Sequence, residues 1–299
     1  MTKKVMLTAA VTGAGDTTNK NPNVPVTPKE IAESAIESAK AGATVVHVHA
    51  RDPKTKGVSH DVDHYREIVD RIRDSKTDAV INITSGGGGD FIPSLDTPAA
   101  GGNGTDIQTP KERHEPVGEL LPEMCTLDCG TTNFGQMIYM SPTDWLREQA
   151  KLVQKSGVKP ELEVFDTGHL RFANQLVKEG LISNDPMYQF CLGIPWGAEA
   201  DMETLMYMKN RIPENGHFSA FSIGAKQLPM VTQTALLGGN VRVGLEDNLY
   251  LRKGVLASNE QLVDQAVKQL HAHDIEVLTP QEARIQYNLL QPNGGNKHE

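Results

Sequence analysis

Cysteine, long apolar runs and basic blocks are all scarce in this 299-residue chain, and each scarcity excludes something. The three cysteines, Cys125, Cys129 and Cys191, form an odd and widely spaced set, which is no disulfide framework in a chain of this length. No apolar stretch approaches the roughly 18 residues that a membrane span needs. The start, Met1 to Val11, has neither the apolar core nor the cleavage site of a secretory signal. The expectation is a reduced, cytoplasmic protein. Lys and Arg number 29 against 38 Asp and Glu, and the formal net charge is −9. With no basic face to follow phosphates, a nucleic-acid partner is excluded. A local pocket can still hold an anion of the CoA type. What remains is an ordinary globular composition, 38% hydrophobic and 22% charged, at a length that suits one α/β barrel of about 250 residues.

Short apolar runs alternate with longer amphipathic segments. The strand-like runs are Val5–Val11, Thr44–His49, Ala79–Thr84, Cys125–Asp128, Leu162–Phe165, Gln189–Gly193, Phe218–Ile223 and Val241–Leu245. Helical patterns follow them, the first opened by Thr27 as N-cap, Pro28 at the first helical position and Glu30 completing a capping box. The last runs over Asn259–His271. Eight strand–helix alternations imply a parallel sheet with crossover helices. Eight in one chain favour a closed (β/α)₈ TIM barrel, a single domain over residues 1–299, rather than an open sheet. The stretch from Gly86 to Glu119, after strand three, reads as one long irregular loop. It is either a functional lid or interface arm, or a solvated insertion with no role.

Chemistry concentrates at the predicted C-terminal ends of the strands, where barrel active sites are built. In Val46-His47-Val48-His49 the histidines are two apart and so share one face of a strand. That pair is a platform for a divalent ion, or else two hydrogen-bonded rim residues. His271-Ala272-His273 ends a helix, where such spacing does not converge, and reads as a surface pair. A catalytic metal site takes a third protein ligand and leaves a position open. Strand eight closes the barrel beside strand one, which lies beside strand two, so Glu246 can approach the histidines. Asp247 then stands beside the metal as a candidate general base. A helix cap with a solvated neighbour would read the same way. Thr84, Ser85, Gly86 and Gly87 end strand three and can hold a carboxylate or carbonyl oxygen, although a GGGG run is also a common flexible loop. Thr126 and Asp128 share a face at the end of strand four. Packing is the expected role of the cysteines beside them. Phe165 and Trp196 end strands five and six, as site residues or as packing.

Taken together, TAAVTGAG, HVHARDP, NITSGG, PEMCTLDCGTTNFG and VRVGLEDN resemble, in order and over about residues 5–290, the β-keto acid cleavage enzymes. That resemblance implies a zinc-dependent TIM barrel that reacts a β-keto acid with acetyl-CoA to give acetoacetate and a new acyl-CoA. It implies zinc ligands at His47, His49 and Glu246, a base at Asp247, a supporting arginine at Arg242, substrate hydroxyls at Thr84 and Thr126, and a homotetramer. Three positions depart from the family pattern. A glutamate that meets a primary amino group is Gly15 here, a small polar residue is Asp128, and a Gly-x-Gly-Arg segment is Ile223-Gly224-Ala225-Lys226. GAGDTT, ARDPKT, ELEVFDTGHL and LGIPWGAEAD are similar to the members that cleave 3-dehydrocarnitine, which implies betainyl-CoA as the second product. In that case Asp128 and the rings of Trp196 and Phe165 would meet a quaternary ammonium group. The competing expectations are a metal-dependent aldolase or hydrolase on the same barrel without CoA, the same cleavage on a neutral β-keto acid, and a non-catalytic binding barrel.

Overall fold

Each of the eight apolar runs forms a strand of one closed parallel sheet in the computed structural model, which describes residues 3–135 and 137–292. The barrel strands are β1 (Leu7–Ala10), β2 (Val45–Val48), β3 (Val80–Ile83), β4 (Met124–Asp128), β5 (Lys159–Val164), β6 (Met187–Leu192), β7 (His217–Ser222) and β8 (Asn240–Val243). They lie in sequence order around the ring, and β8 pairs with β1 to close it. The helices between them are α1 (Pro28–Lys40), α2 (Val62–Asp74), α3 (Pro110–Leu120), α4 (Thr143–Ser156), α5 (Thr167–Lys178), α6 (Met202–Lys209), α7 (Gln227–Leu236) and α8 (Asn259–His271). A short helix, α9 (Pro280–Gln286), follows.

The helix starts are set by local chemistry. Thr27, Thr109 and Thr279 each open a helix in the same way: the hydroxyl accepts from the amide three residues on, and the Glu there reaches back to the threonine amide. The second of these boxes corrects the reading of Gly86–Glu119 as wholly irregular. Its last part is α3, which Pro116 and Gly118 make hard to see as a helix from pattern alone. The first apolar run also divides. Lys3–Val5 pairs with Ile275–Val277 outside the barrel, and the barrel strand begins at Leu7.

Two apolar layers position the site. Outward strand residues such as Val46, Val48, Ile81 and Val243 pack on Ile31, Ile68 and Leu262 of the helices. Each buried aliphatic side chain there contributes roughly 1.5–3 kcal/mol. A second cluster, with Met6, Val80, Met124, Leu278 and Tyr287, closes the N-terminal end of the barrel. Cys125, Cys129 and Cys191 are free thiols buried in the packing. His271 and His273 are exposed. Among the described residues no helix is long and apolar enough to cross a membrane.

Candidate active site

The register decides where the histidines stand. His47 lies in β2 between Ala10 of β1 and Asn82 of β3, and His49 follows just past the strand end. Their rings meet edge to face, with centroids 5.1 Å apart. Glu246 reaches them from beyond β8. Its Oε2 lies 3.6 Å from His47 Nε2 and its Oε1 lies 3.3 Å from His49 Nε2.

Gly244 makes that approach possible. It sits at φ +144°, and a Cβ there would run into the carbonyl of Ala10. The chain can therefore fold tightly over β1, where the Glu246 amide donates to Ala10 O at 3.2 Å. Asn259 Oδ1 accepts from the Leu245 amide and Gln227 Nε2 donates to Gly244 O, which fixes the turn from α8 and α7.

Arg242 joins the parts. Its Nε and Nη2 donate to the two carboxylate oxygens of Asp247, both at 2.9 Å, and Nη2 is also 2.8 Å from Glu246 Oε1. Nη1 donates to Gln189 Oε1 at 2.7 Å, and the guanidinium lies over the Phe221 ring. Five contacts in a buried site leave this fork no freedom to turn. Beneath it the barrel interior is polar. Asn82 Nδ2 and Ser219 Oγ both donate to the buried Glu161 carboxylate at 3.0 Å.

Burial sets the charge states. It pushes His47 down to about 3, so its imidazole is neutral and has a lone pair to offer. Burial opposes charge on Glu246, but the Arg242 guanidinium beside it holds it well below the usual carboxylate range. Burial pushes Asp247 up to about 6 against the opposing guanidinium, and raises Asp128 and Glu163 as well.

A divalent ion fits this donor set. The three ligand atoms lie within 4.8 Å of one another, and Glu246 Oε2 is buried with no hydrogen-bond partner. An unsatisfied buried carboxylate oxygen beside two imidazoles is costly without a cation. Two histidines and one carboxylate also leave positions open for substrate.

A cavity of about 260 Å³ opens above these residues. Thr84, Gly86, Gly87, Thr126 and Asp128 line it with His47, His49, Arg242, Glu246 and Asp247, and Gly15 lines it from the loop after β1. Two sequence-predicted residues lie elsewhere. Ser85 turns away, its hydroxyl donating to Thr126 O and its carbonyl accepting from Gln149. Trp196 is 77% exposed, and its indole donates to Gly135 O at 3.2 Å. Its φ of +76° turns the side chain outward, so the aromatic lining comes instead from Phe134, Tyr139, Phe165 and Phe221. Lys226 is not part of the lining, and its Nζ donates to Ala200 O. The sequence reading missed Glu163 and Glu161, although two acids alternating inside a barrel strand are a signal of buried charge. It also missed Asp90, Asp106 and Tyr139, which only the folded loop brings to the cavity.

The family model described as beta-keto acid cleavage enzyme matches residues 4–289. The chain belongs to this family. Among beta-keto acid cleavage enzymes and their relatives, a Rhizobium meliloti (strain 1021) protein named "3-dehydrocarnitine:acetyl-CoA trimethylamine transferase" is 50% identical over 97% of this chain and 98% of its own. A Fusobacterium nucleatum subsp. nucleatum protein named "3-keto-5-aminohexanoate cleavage enzyme" is 37% identical over 95% of this chain and 97% of its own. The solved binary complex of ObcA with oxaloacetate has a TM-score of 0.74 over 90% of this chain and 68% of that one. At 21% identity that is a likeness of fold alone.

Proposed function

We propose that this beta-keto acid cleavage enzyme reacts 3-dehydrocarnitine with acetyl-CoA to give acetoacetate and betainyl-CoA, with zinc as its resident ion. The observation that carries the reading is the make-up of one cavity. Its floor holds the His47, His49 and Glu246 set beside Asp247, and its wall is acidic and aromatic, with Asp128, Phe134, Tyr139 and Phe165. The floor suits the keto oxygen and carboxylate of a β-keto acid. The wall suits a trimethylammonium group, which donates no hydrogen bonds and prefers ring faces and negative charge. Gly15 leaves space where a carboxylate would be needed for a primary amine. The 50% identical relative carries the same substrate in its name.

An ion held by His47, His49 and Glu246 supplies Lewis-acid polarisation of the substrate's oxygens. Asp247 takes the proton from the substrate carbon between keto group and carboxylate. Arg242 fixes both Asp247 oxygens, so the base is oriented before substrate arrives. The deprotonated carbon attacks the acetyl thioester and CoA thiolate leaves. The thiolate then adds to the former keto carbon, the bond between that carbon and its deprotonated neighbour breaks, and the acetoacetate carbanion takes back the proton that Asp247 holds. Thr84 and Thr126 offer hydroxyls to the substrate within the lining.

The test is a direct assay. Purified protein with 3-dehydrocarnitine and acetyl-CoA should release acetoacetate and betainyl-CoA. The kcat/KM should exceed that for the neutral isostere 5,5-dimethyl-3-oxohexanoate by more than about tenfold, or roughly 1.4 kcal/mol. A smaller preference removes the cationic substrate. Turnover without acetyl-CoA would instead mark a metal-dependent aldolase or hydrolase.

A further inference from the structure

The segment from Gly86 to Thr109 is tied down along its length. Gln108 N donates to Gly88 O at 2.9 Å, Gly102 N to Ile92 O at 2.7 Å, and Met140 N to Gly89 O at 2.7 Å. Asp90 and Phe91 pair with Tyr139 and Ile138 of a neighbouring hairpin. At Gly86 a Cβ would meet Asp128 Oδ2 at 2.5 Å, so the glycine lets this loop lie directly on the Asp128 carboxylate. A loop held this way presents its side chains to the cavity at fixed positions.

Two loop carboxylates, Asp90 and Asp106, and Asp128 of β4 differ in what already neutralises them. Asp106 is committed: Oδ1 accepts from the Asp90 amide at 2.8 Å and Oδ2 meets His60 Nε2 at 3.1 Å. Asp128, beneath the loop, has the Tyr139 hydroxyl and the nearby Arg113 charge. The Asp90 carboxylate lines the cavity and accepts no hydrogen bond from any described residue. Arg113 is near enough to act on its charge, but that guanidinium already donates to Gly86 O, Met140 O and Tyr139 Oη. The only lysine or arginine in the cavity lining, among the described residues, is Arg242, which Asp247, Glu246 and Gln189 occupy. Glu163 in the lining also accepts no hydrogen bond, but it lies 3.9 Å from Arg242 Nη1, so among the described residues Asp90 is the lining carboxylate with neither a hydrogen bond nor an ion pair.

We infer that Asp90 is the specificity-determining residue that supplies the counter-charge for the substrate's cationic tail, and that the loop after β3 exists to hold it there. The inference rests on the cationic-substrate reading above and adds to it. The Tyr139 ring, on the residue paired with Asp90, and the Phe134 ring elsewhere in the lining would cover the methyl groups, and the Asp90 carboxylate would act through space, since a quaternary ammonium donates no hydrogen bond for it to accept. Asp128, nearer the histidines and Glu246, would sit under the tail's methylene.

The test is Asp90→Asn, which keeps shape and removes charge. The kcat/KM ratio of 3-dehydrocarnitine to 5,5-dimethyl-3-oxohexanoate is measured in both proteins, with thermal unfolding as a control on the fold. The expected result is a ratio at least about fivefold lower in the variant, lost through KM for the cationic substrate. A wild-type preference that Asp90→Asn leaves unchanged, in a folded variant, overturns the role of Asp90 and leaves the cationic substrate standing. No preference in the wild type removes the cationic substrate itself, and this inference with it.

Discussion

At the scale of single residues the site divides labour between neighbours. Glu246 and Asp247 are adjacent in sequence and share Arg242, yet one faces the histidines and the other faces only the guanidinium. Two variants separate their roles. His49→Ala should lose bound metal and, with it, exchange of the substrate's C2 protons in D₂O without acetyl-CoA. Asp247→Asn should keep the metal and lose the exchange by about 10²–10⁴-fold, the usual contribution of a positioned base. Stoichiometric metal in His49→Ala, or undiminished exchange in Asp247→Asn, would reassign the residue concerned. These residues were legible in sequence because the signal is local: two histidines one strand repeat apart, and two acids at a strand end. Trp196 misled because nothing in the sequence announces a left-handed backbone at a tryptophan. Asp90 was invisible because its value depends on which carboxylates around it are already paired.

At the scale of elements, period and punctuation sufficed for most of the barrel. Short apolar runs located all eight strands to within a few residues, since the burial that forms them also writes the pattern. α3 escaped because Pro116 and Gly118 weaken its pattern, while its Thr-Pro-Lys-Glu cap was as readable as that of α1. The two-stranded and three-stranded sheets on the rim escaped because strands of two or three residues carry too little pattern. The join between β8 and β1 is the element-level feature on which the site hangs most directly. Gly244→Ala places a methyl against the Ala10 carbonyl at a φ that L side chains rarely adopt. The expected cost is at least about 3 kcal/mol, from backbone strain and displacement of the turn. Glu246 moves with that turn, so a folded Gly244→Ala protein should also bind metal more weakly than wild type. A variant with wild-type unfolding temperature and metal content would mean that the turn does not position the ligand.

At the scale of the whole molecule, function and stability occupy opposite ends of the barrel. The catalytic layer fills the C-terminal mouth with charged and polar groups whose burial costs stability. The N-terminal mouth is shut by α9 and the residue that caps it, Tyr287, which packs into the apolar plug, while Arg284 of the helix reaches back across the sheet. Arg284 Nη2 lies 3.1 Å from Glu123 Oε1 and donates to Ala79 O, while Nη1 lies 2.9 Å from Asp78 Oδ1. Glu123 is itself buried, and its other oxygen accepts from the Ile81 amide at 3.1 Å. Removing one member of a buried pair strands the other charge, so Arg284→Ala should destabilise by about 3–5 kcal/mol. Burial already raises Glu123, and without the arginine it rises further, so the penalty should be full near neutral pH and ease as acid protonates the carboxyl. Adding Glu123→Gln to the variant should recover part of the loss, since the amide can still accept from the Ile81 amide without a charge to bury. The kcat/KM per folded molecule should stay near wild type, because the clasp touches no residue of the cavity. Thermal unfolding of the two variants at two pH values, read beside their turnover, checks each part. A large loss of kcat/KM in folded Arg284→Ala would mean that the two ends of the barrel are coupled rather than independent.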